Sequence, residues 1–243
     1  MTTLKKIIYS NYPALSLKTA EQIASIISAK PDALLCFPAG ETSVGTFEEL
    51  IKLNEEGRLS FKQSRIVGLD EWMNLGEMQS ENCFSFLKKH LFDHIDYSVE
   101  NLCFFDGESP EPEKECIKTD NFIKKYGPID MILLGVGMNG HLGLNEPGNS
   151  PDLYSHIVDL DETTKNVCQK YFSREVQLSS GITLGMKHIM ESKTVIMQLN
   201  GFRKAEIARR LIESEISPAF PASMVKAHIN SYLILDREAA EYL

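Results

Sequence analysis

DMILLGVGMNGHLGLNEPG, residues 130–148, is the stretch on which the reading of this chain turns. Its apolar run, Met131 to Leu134, has the continuous hydrophobicity of a strand buried on both faces, as in a parallel sheet. Gly135, Gly137 and Gly140 then satisfy GxGxxG, and Asp159 or Asp161 lies about 20 residues further on, where a dinucleotide-binding fold places its acidic residue. The dinucleotide reading fails at the third glycine. A helix of about ten residues or more should open there, whereas Gly143, Pro147, Gly148 and Pro151 interrupt the segment. What remains is a strand ending in a loop that carries His141 and Glu146. Asn139 and Asn145 are its neutral hydrogen-bonding partners, and its glycines let backbone approach a ligand.

Outward from this loop, short apolar runs alternate with amphipathic stretches. KKIIYS is followed by a helical pattern over 13–29, DALLCF by 43–57 and RIVGL by 80–92; then come DMILLGV, HIVDL, TVIMQLN with 202–214, and YLILD. The alternation predicts an α/β fold: a doubly wound, mostly parallel, Rossmann-like sheet with helices on both faces. Residues 1–243 are expected to form one domain. The interval 106–116, DGESPEPEKEC, reads as a polar loop too short for an interdomain linker.

Composition narrows the function classes. The formal net charge of −9 offers no basic face for nucleic acid or anionic lipid, so an anionic ligand must be held by local cations in a small pocket. No stretch approaches the roughly 18 apolar residues that span a bilayer, and the N-terminus lacks a cleavable leader pattern. Five scattered cysteines without CxxC spacing suggest neither a disulfide framework nor a zinc site. The expectation is a cytoplasmic protein without membrane, nucleic acid, metal or cofactor; a homo-oligomer is left open.

In a parallel α/β sheet, ligands sit beyond the carboxyl ends of the strands. After DALLCF, the turn Gly40-Glu41-Thr42-Ser43 leads into a helix whose N-terminus favours phosphate, although Thr42 and Ser43 could equally serve as caps. After TVIMQLN, Lys204 falls at a helix start, where a cation is electrostatically out of place unless an anion is bound. After RIVGL, Asp70 and Glu71 are adjacent carboxylates that point oppositely in extended chain, so one can face a site while the other supports it. A buried carboxylate there is a candidate general base.

GVGMNGHLGLNEPG, together with VGLDEWMNL, SFLKKHLFDHI, GITLGMKHIM, GFRKA and PASMVKAHIN, resembles the glucosamine-6-phosphate and galactosamine-6-phosphate deaminase/isomerase family, with the GITLG, PAS and DEW segments nearer the galactosamine branch. The resemblance implies that Asp70 moves a proton between C2 and C1 of the sugar, that His141 opens its ring, and that Glu146 and Asn139 position His141. It further implies that Gly40 to Ser43, Lys204 and Lys170 hold the phosphate, with Gly137 at the substrate. Glu41 departs from the family pattern, and either turns outward or meets another part of the substrate. Two other readings fit part of the pattern: a 6-phosphogluconolactonase-type hydrolase, and a non-catalytic sugar-phosphate sensor. The Asn145-Glu146-Pro147 ending and DEW speak against the first; the second lacks a basic helix-turn-helix segment before the core.

Overall fold

The computed structural model describes residues 4–243, and its frame is a seven-stranded sheet in which every neighbouring pair runs parallel. In chain order the elements are β1 (Lys5–Tyr9), α1 (Tyr12–Ala29), β2 (Leu34–Phe37), α2 (Val44–Glu55), β3 (Arg65–Gly68), β4 (Asp70–Trp72), α3 (Cys83–His90), β5 (Leu102–Cys103) and α4 (Pro112–Tyr126). They continue with β6 (Met131–Gly135), β7 (His156–Asp159), α5 (Glu162–Cys168), β8 (Ser180–Thr183), α6 (Met186–Glu191), β9 (Val195–Leu199), α7 (Ala205–Glu213) and β10 (Ser231–Asp236).

The strand order is β1-β10-β9-β6-β2-β3-β5. The chain builds outward from β2 through β3 to β5, then from β6 through β9 to β10, so the connections diverge between β2 and β6. That divergence opens a crevice at the carboxyl ends of these two strands. Side chains alternate across the sheet: Leu35 and Phe37 of β2 pack with Ile23 of α1, Phe47 of α2 and Leu87 of α3, while Leu34 and Cys36 join the core containing Ile123 of α4, Ile189 of α6 and Leu211 of α7. Helices therefore cover both faces. Among the described residues no helix is long and apolar enough to cross a membrane.

Two expectations need correction. The run HIVDL does not extend the parallel sheet; it is β7, and it and β4, which holds Asp70 to Trp72 beyond the end of RIVGL, pair antiparallel with β8 in a separate three-stranded sheet. Half-exposed short strands carry no mark of strand direction, and β7 is buried only at Val158. The interval 106–116 is not all loop, because α4 begins at Pro112. Its ends have helix signals that its acidic composition obscured: proline in the first turn with Glu113 and Glu115, and Lys124 and Lys125 in the last.

Asp130 pins the starts of three central strands. It is 5% exposed; one carboxylate oxygen accepts from the Leu34 N–H and the Lys30 ammonium, both at 2.8 Å, and the other from Lys193 at 2.7 Å. Burial alone would raise this carboxyl, but the bonds from Lys193, Lys30 and Leu34 more than offset it and hold the group below the ordinary carboxylate range. Asp130→Ala should cost about 1–3 kcal/mol in urea unfolding, chiefly by orphaning the Leu34 N–H. Since the folded-state pKa is depressed, this contribution is present above the unfolded value near about 4 and is lost as pH falls through the folded value. The gap between wild type and variant should therefore narrow in acid; a gap that stays constant would assign the side chain to packing alone.

Candidate active site

The loops after β2, β3, β6 and β9 surround one cleft of about 570 Å³. Gly40, Glu41, Thr42, Ser43, Asp70, Gly137, His141, Lys170 and Lys204 all line it. So do Thr164 and Arg203, which sequence reasoning passed over, because a threonine in an amphipathic helix and an arginine beside a lysine carry no local signal.

The turn after β2 is a single 3₁₀ turn, Glu41–Ser43, that runs directly into α2. Tyr12 buttresses it from α1: its hydroxyl accepts from the Gly45 N–H at 2.8 Å and lies 3.0 Å from the Thr42 carbonyl. A Cβ on Gly45 would come within 2.5 Å of Ser16 Oγ, so a glycine there lets α1 and α2 approach. The cleft thus has a rigid helix start on one wall, electropositive at its open N–H groups.

Lys204 stands on the opposite wall, in a 3₁₀ turn that precedes α7. Its Nζ donates to the Val136 carbonyl at 2.5 Å. Burial, and then the positive charge of Lys170, lower its ammonium to about 8. Lys170 reaches in from the segment after α5, where its Nζ lies 2.6 Å from Glu41 Oε2. The Glu41 side chain is thus engaged across the cleft mouth by a residue 129 positions away.

Asp70 is the first residue of β4, separated from the parallel strand β3 by Leu69 alone, and pairs in register with Thr183 of β8. It faces the cleft, while Glu71 turns the other way into the protein and is 2% exposed. The Glu71 carboxylate accepts three backbone N–H groups, from Trp72 at 2.9 Å, Cys83 at 2.8 Å and Phe84 at 3.0 Å, tying β4 to the first turn of α3. Burial, followed by the neighbouring Glu71 charge, pushes the Asp70 carboxyl up to about 7. Burial raises Glu71 as well, against the pull of its three N–H donors.

His141 is clamped from behind. Thr164 Oγ1 lies 3.1 Å and Glu146 Oε2 3.6 Å from Nδ1, so both contacts engage that nitrogen and Nε2 is left for a ligand. Asn139 does not touch the ring. Its Oδ1 accepts from the His141 N–H at 3.1 Å, and its Nδ2 donates to Glu146 at 2.8 Å. Glu146 is 4% exposed. Burial alone would raise its carboxyl, but bonds from His141, Thr164 and Asn139 more than offset that and hold it low. Asp161, weighed in the sequence as a ribose ligand, instead caps α5 by accepting from the Thr163 N–H at 2.8 Å.

A cleft at the switch point of a parallel sheet, holding a carboxylate, a clamped imidazole and two lysines, has the groups that acid–base chemistry on an anionic small molecule requires. Residues 11–234 match the family described as glucosamine-6-phosphate isomerases/6-phosphogluconolactonase, and the chain is a member of that family. It is 40% identical over 226 residues to a glucosamine-6-phosphate deaminase of Bacillus pumilus, covering 93% of this chain and 94% of the relative. A second such deaminase, of Alkaliphilus oremlandii, is 33% identical over 237 residues, covering 97% of this chain and 98% of the other. Among solved structures, a monomeric glucosamine-6-phosphate deaminase superposes with a TM-score of 0.94 at 34% identity, over 99% of this chain and 100% of that one. A 6-phosphogluconolactonase of Trypanosoma brucei shares the fold, with a TM-score of 0.74 at 17% identity.

Gly137 has a role visible only in three dimensions: a Cβ there would lie 2.3 Å from Cε1 of the His141 ring and 2.4 Å from Nε2. Gly137→Ala should therefore displace the imidazole without straining the backbone, lowering turnover by at least about 10²-fold, the scale of a lost acid–base group. Circular dichroism should stay native; unchanged turnover would mean that the ring is free to move.

Proposed function

We propose that the chain, acting as one domain over residues 1–243, is a cytoplasmic enzyme that isomerises and deaminates a hexosamine 6-phosphate. Water is consumed, and the ketose 6-phosphate and ammonia are released. The observation that carries this reading is the meeting, in one cleft, of Asp70 and His141 with the Gly40–Ser43 turn, Lys204 and Lys170. The five buried free thiols suit a reducing compartment.

The phosphate would sit between the helix start at Ser43 and the ammonium groups of Lys204 and Lys170, and this remote binding fixes the reacting carbons against Asp70. His141 then moves a proton between the anomeric hydroxyl and the ring oxygen, which opens the pyranose to the amino-aldehyde. Asp70 takes the proton from C2, now acidified by the C1 carbonyl, and returns it to C1. The product is an imine at C2, which water hydrolyses to the ketone and ammonia. Each step is a proton transfer or a hydrolysis, so no oxidant or reductant is called for.

The lactonase reading needs water to attack an ester and yields no nitrogen. Purified protein should release ammonia from glucosamine 6-phosphate or galactosamine 6-phosphate and leave 6-phosphogluconolactone at its spontaneous rate. Lactone hydrolysis without ammonia would overturn the assignment. The relatives' names favour the gluco epimer and the GITLG and PAS segments the galacto one, so both belong in the assay. Asp70→Asn should lose about 10²–10⁴-fold in turnover and in solvent-deuterium exchange at the substrate carbon, with KM little changed.

The two shifted groups also fix a pH profile. Asp70 works as a base only when ionised, so kcat/KM should rise with pH through about 7. Lys204 holds phosphate only when protonated, so kcat/KM should fall again above about 8. Lys204→Arg, whose guanidinium stays charged, should lose the alkaline fall while keeping the acid limb. An alkaline limb that survives this substitution would remove Lys204 from the phosphate site.

A further inference from the structure

The Glu41–Lys170 pair joins side chains that are 68% and 45% exposed, and exposed ion pairs contribute little to holding a fold together. Its position suggests a different use. Glu41 sits on the turn read above as the phosphate subsite, and Lys170 is one of the two cations facing that turn. The charge of Lys170 is also felt by Lys204 on the far wall, so the two ammonium groups address the same space. A phosphate entering between them would meet the Glu41 carboxylate already bound to one of its partners, at 2.6 Å.

We propose that Glu41 is a positioning residue that competes with the substrate's phosphate for Lys170 and so sets how tightly the subsite holds it. In the empty enzyme the carboxylate occupies Lys170 and closes the cleft mouth. A phosphate dianion, which draws on the helix start and Lys204 at once, takes Lys170 over and leaves Glu41 to solvent. A singly charged sugar acid gains less from the same contacts and does not displace it. Glu41 thereby sets the strength of the phosphate subsite, because any anion that needs Lys170 must first displace the carboxylate. The inference rests on reading the turn as the phosphate subsite, which its test examines separately.

The test is binding of inorganic phosphate, followed by calorimetry and by protection against thermal unfolding, in wild type, Glu41→Gln, Lys170→Met and the double variant. Glu41→Gln should tighten phosphate by about 3- to 10-fold at low ionic strength, the gain shrinking as salt screens the pair. Acetate, which carries a single charge and does not displace Glu41, should tighten by a smaller factor. The gain should fall to less than half when Lys170 is already methionine, because the competition then has no object. Weaker phosphate binding in Glu41→Gln would overturn the proposal by making Glu41 a support of the turn. So would an equal gain with and without Lys170, which would reduce Glu41 to general repulsion. Absence of phosphate binding in both wild type and Glu41→Gln would overturn the phosphate subsite itself and this proposal with it.

Discussion

The polarity of the parallel sheet is the constraint on which the rest of the structure depends. Because β2, β3, β6 and β9 all run the same way, their carboxyl ends open on one edge, and the divergence of connections between β2 and β6 leaves space there that no crossover fills. Turns as unlike as Glu41–Ser43 and Phe202–Lys204, over 150 residues apart, face each other for this reason alone. Reversing any one of these strands would send its loop to the opposite edge. The three-stranded antiparallel sheet answers a different need: it carries the chain out of the main sheet at Leu69 and holds Asp70 at the junction, supported by the small core around Trp72, Leu144 and Phe172.

Three carboxylates near the cleft are set apart by what each accepts. Glu71 takes three backbone N–H groups and Glu146 takes His141, Thr164 and Asn139, so both are furnished with donors that stabilise charge. Asp70 lacks a comparable set; burial and the charge of Glu71 push it up to about 7. Burial overrides the donors of Glu71 as well and raises it to about 7, so only Glu146 is held low, and access to the cleft is what distinguishes Asp70 from Glu71. The two donor-rich carboxylates are also the ones that tie loops to helices, Glu71 to α3 and Glu146 to α5 through the Asp161 N–H at 3.4 Å. Rigidity and charge placement are therefore the same contacts.

The parallel layer was legible in the sequence because fully buried strands announce themselves: LLCF and MILL hold no polar residue and VIMQL only Gln198. The positions of Asp70, His141 and Lys204 followed from the rule that chemistry sits at strand ends, which needs only the strands. The small sheet was illegible because its strands are short, β4 finds β8 across more than 100 residues, and pairing direction leaves no trace in composition. Thr164 and Tyr12 were passed over for a related reason. Each acts through one hydroxyl on a distant loop, and such a contact exists only after the core has packed.

Electrostatics of the whole chain bears on how an anionic substrate reaches this edge. With a formal charge of −9 the far field opposes it, but at physiological ionic strength that field is screened beyond about 8 Å, so the local pattern decides. Locally Lys204, Lys170 and Arg203 outnumber Glu41 on the cleft wall. Lys204 is only weakly held in its charged state while the site is empty, because burial and Lys170 both work against it. On the phosphate reading proposed above, a bound dianion would reverse that balance by raising the affinity of Lys204 for its proton. Substrate capture and lysine protonation would then be linked, with the cost of two ammonium groups lining one cleft falling mainly on the empty enzyme, where Glu41 already neutralises Lys170.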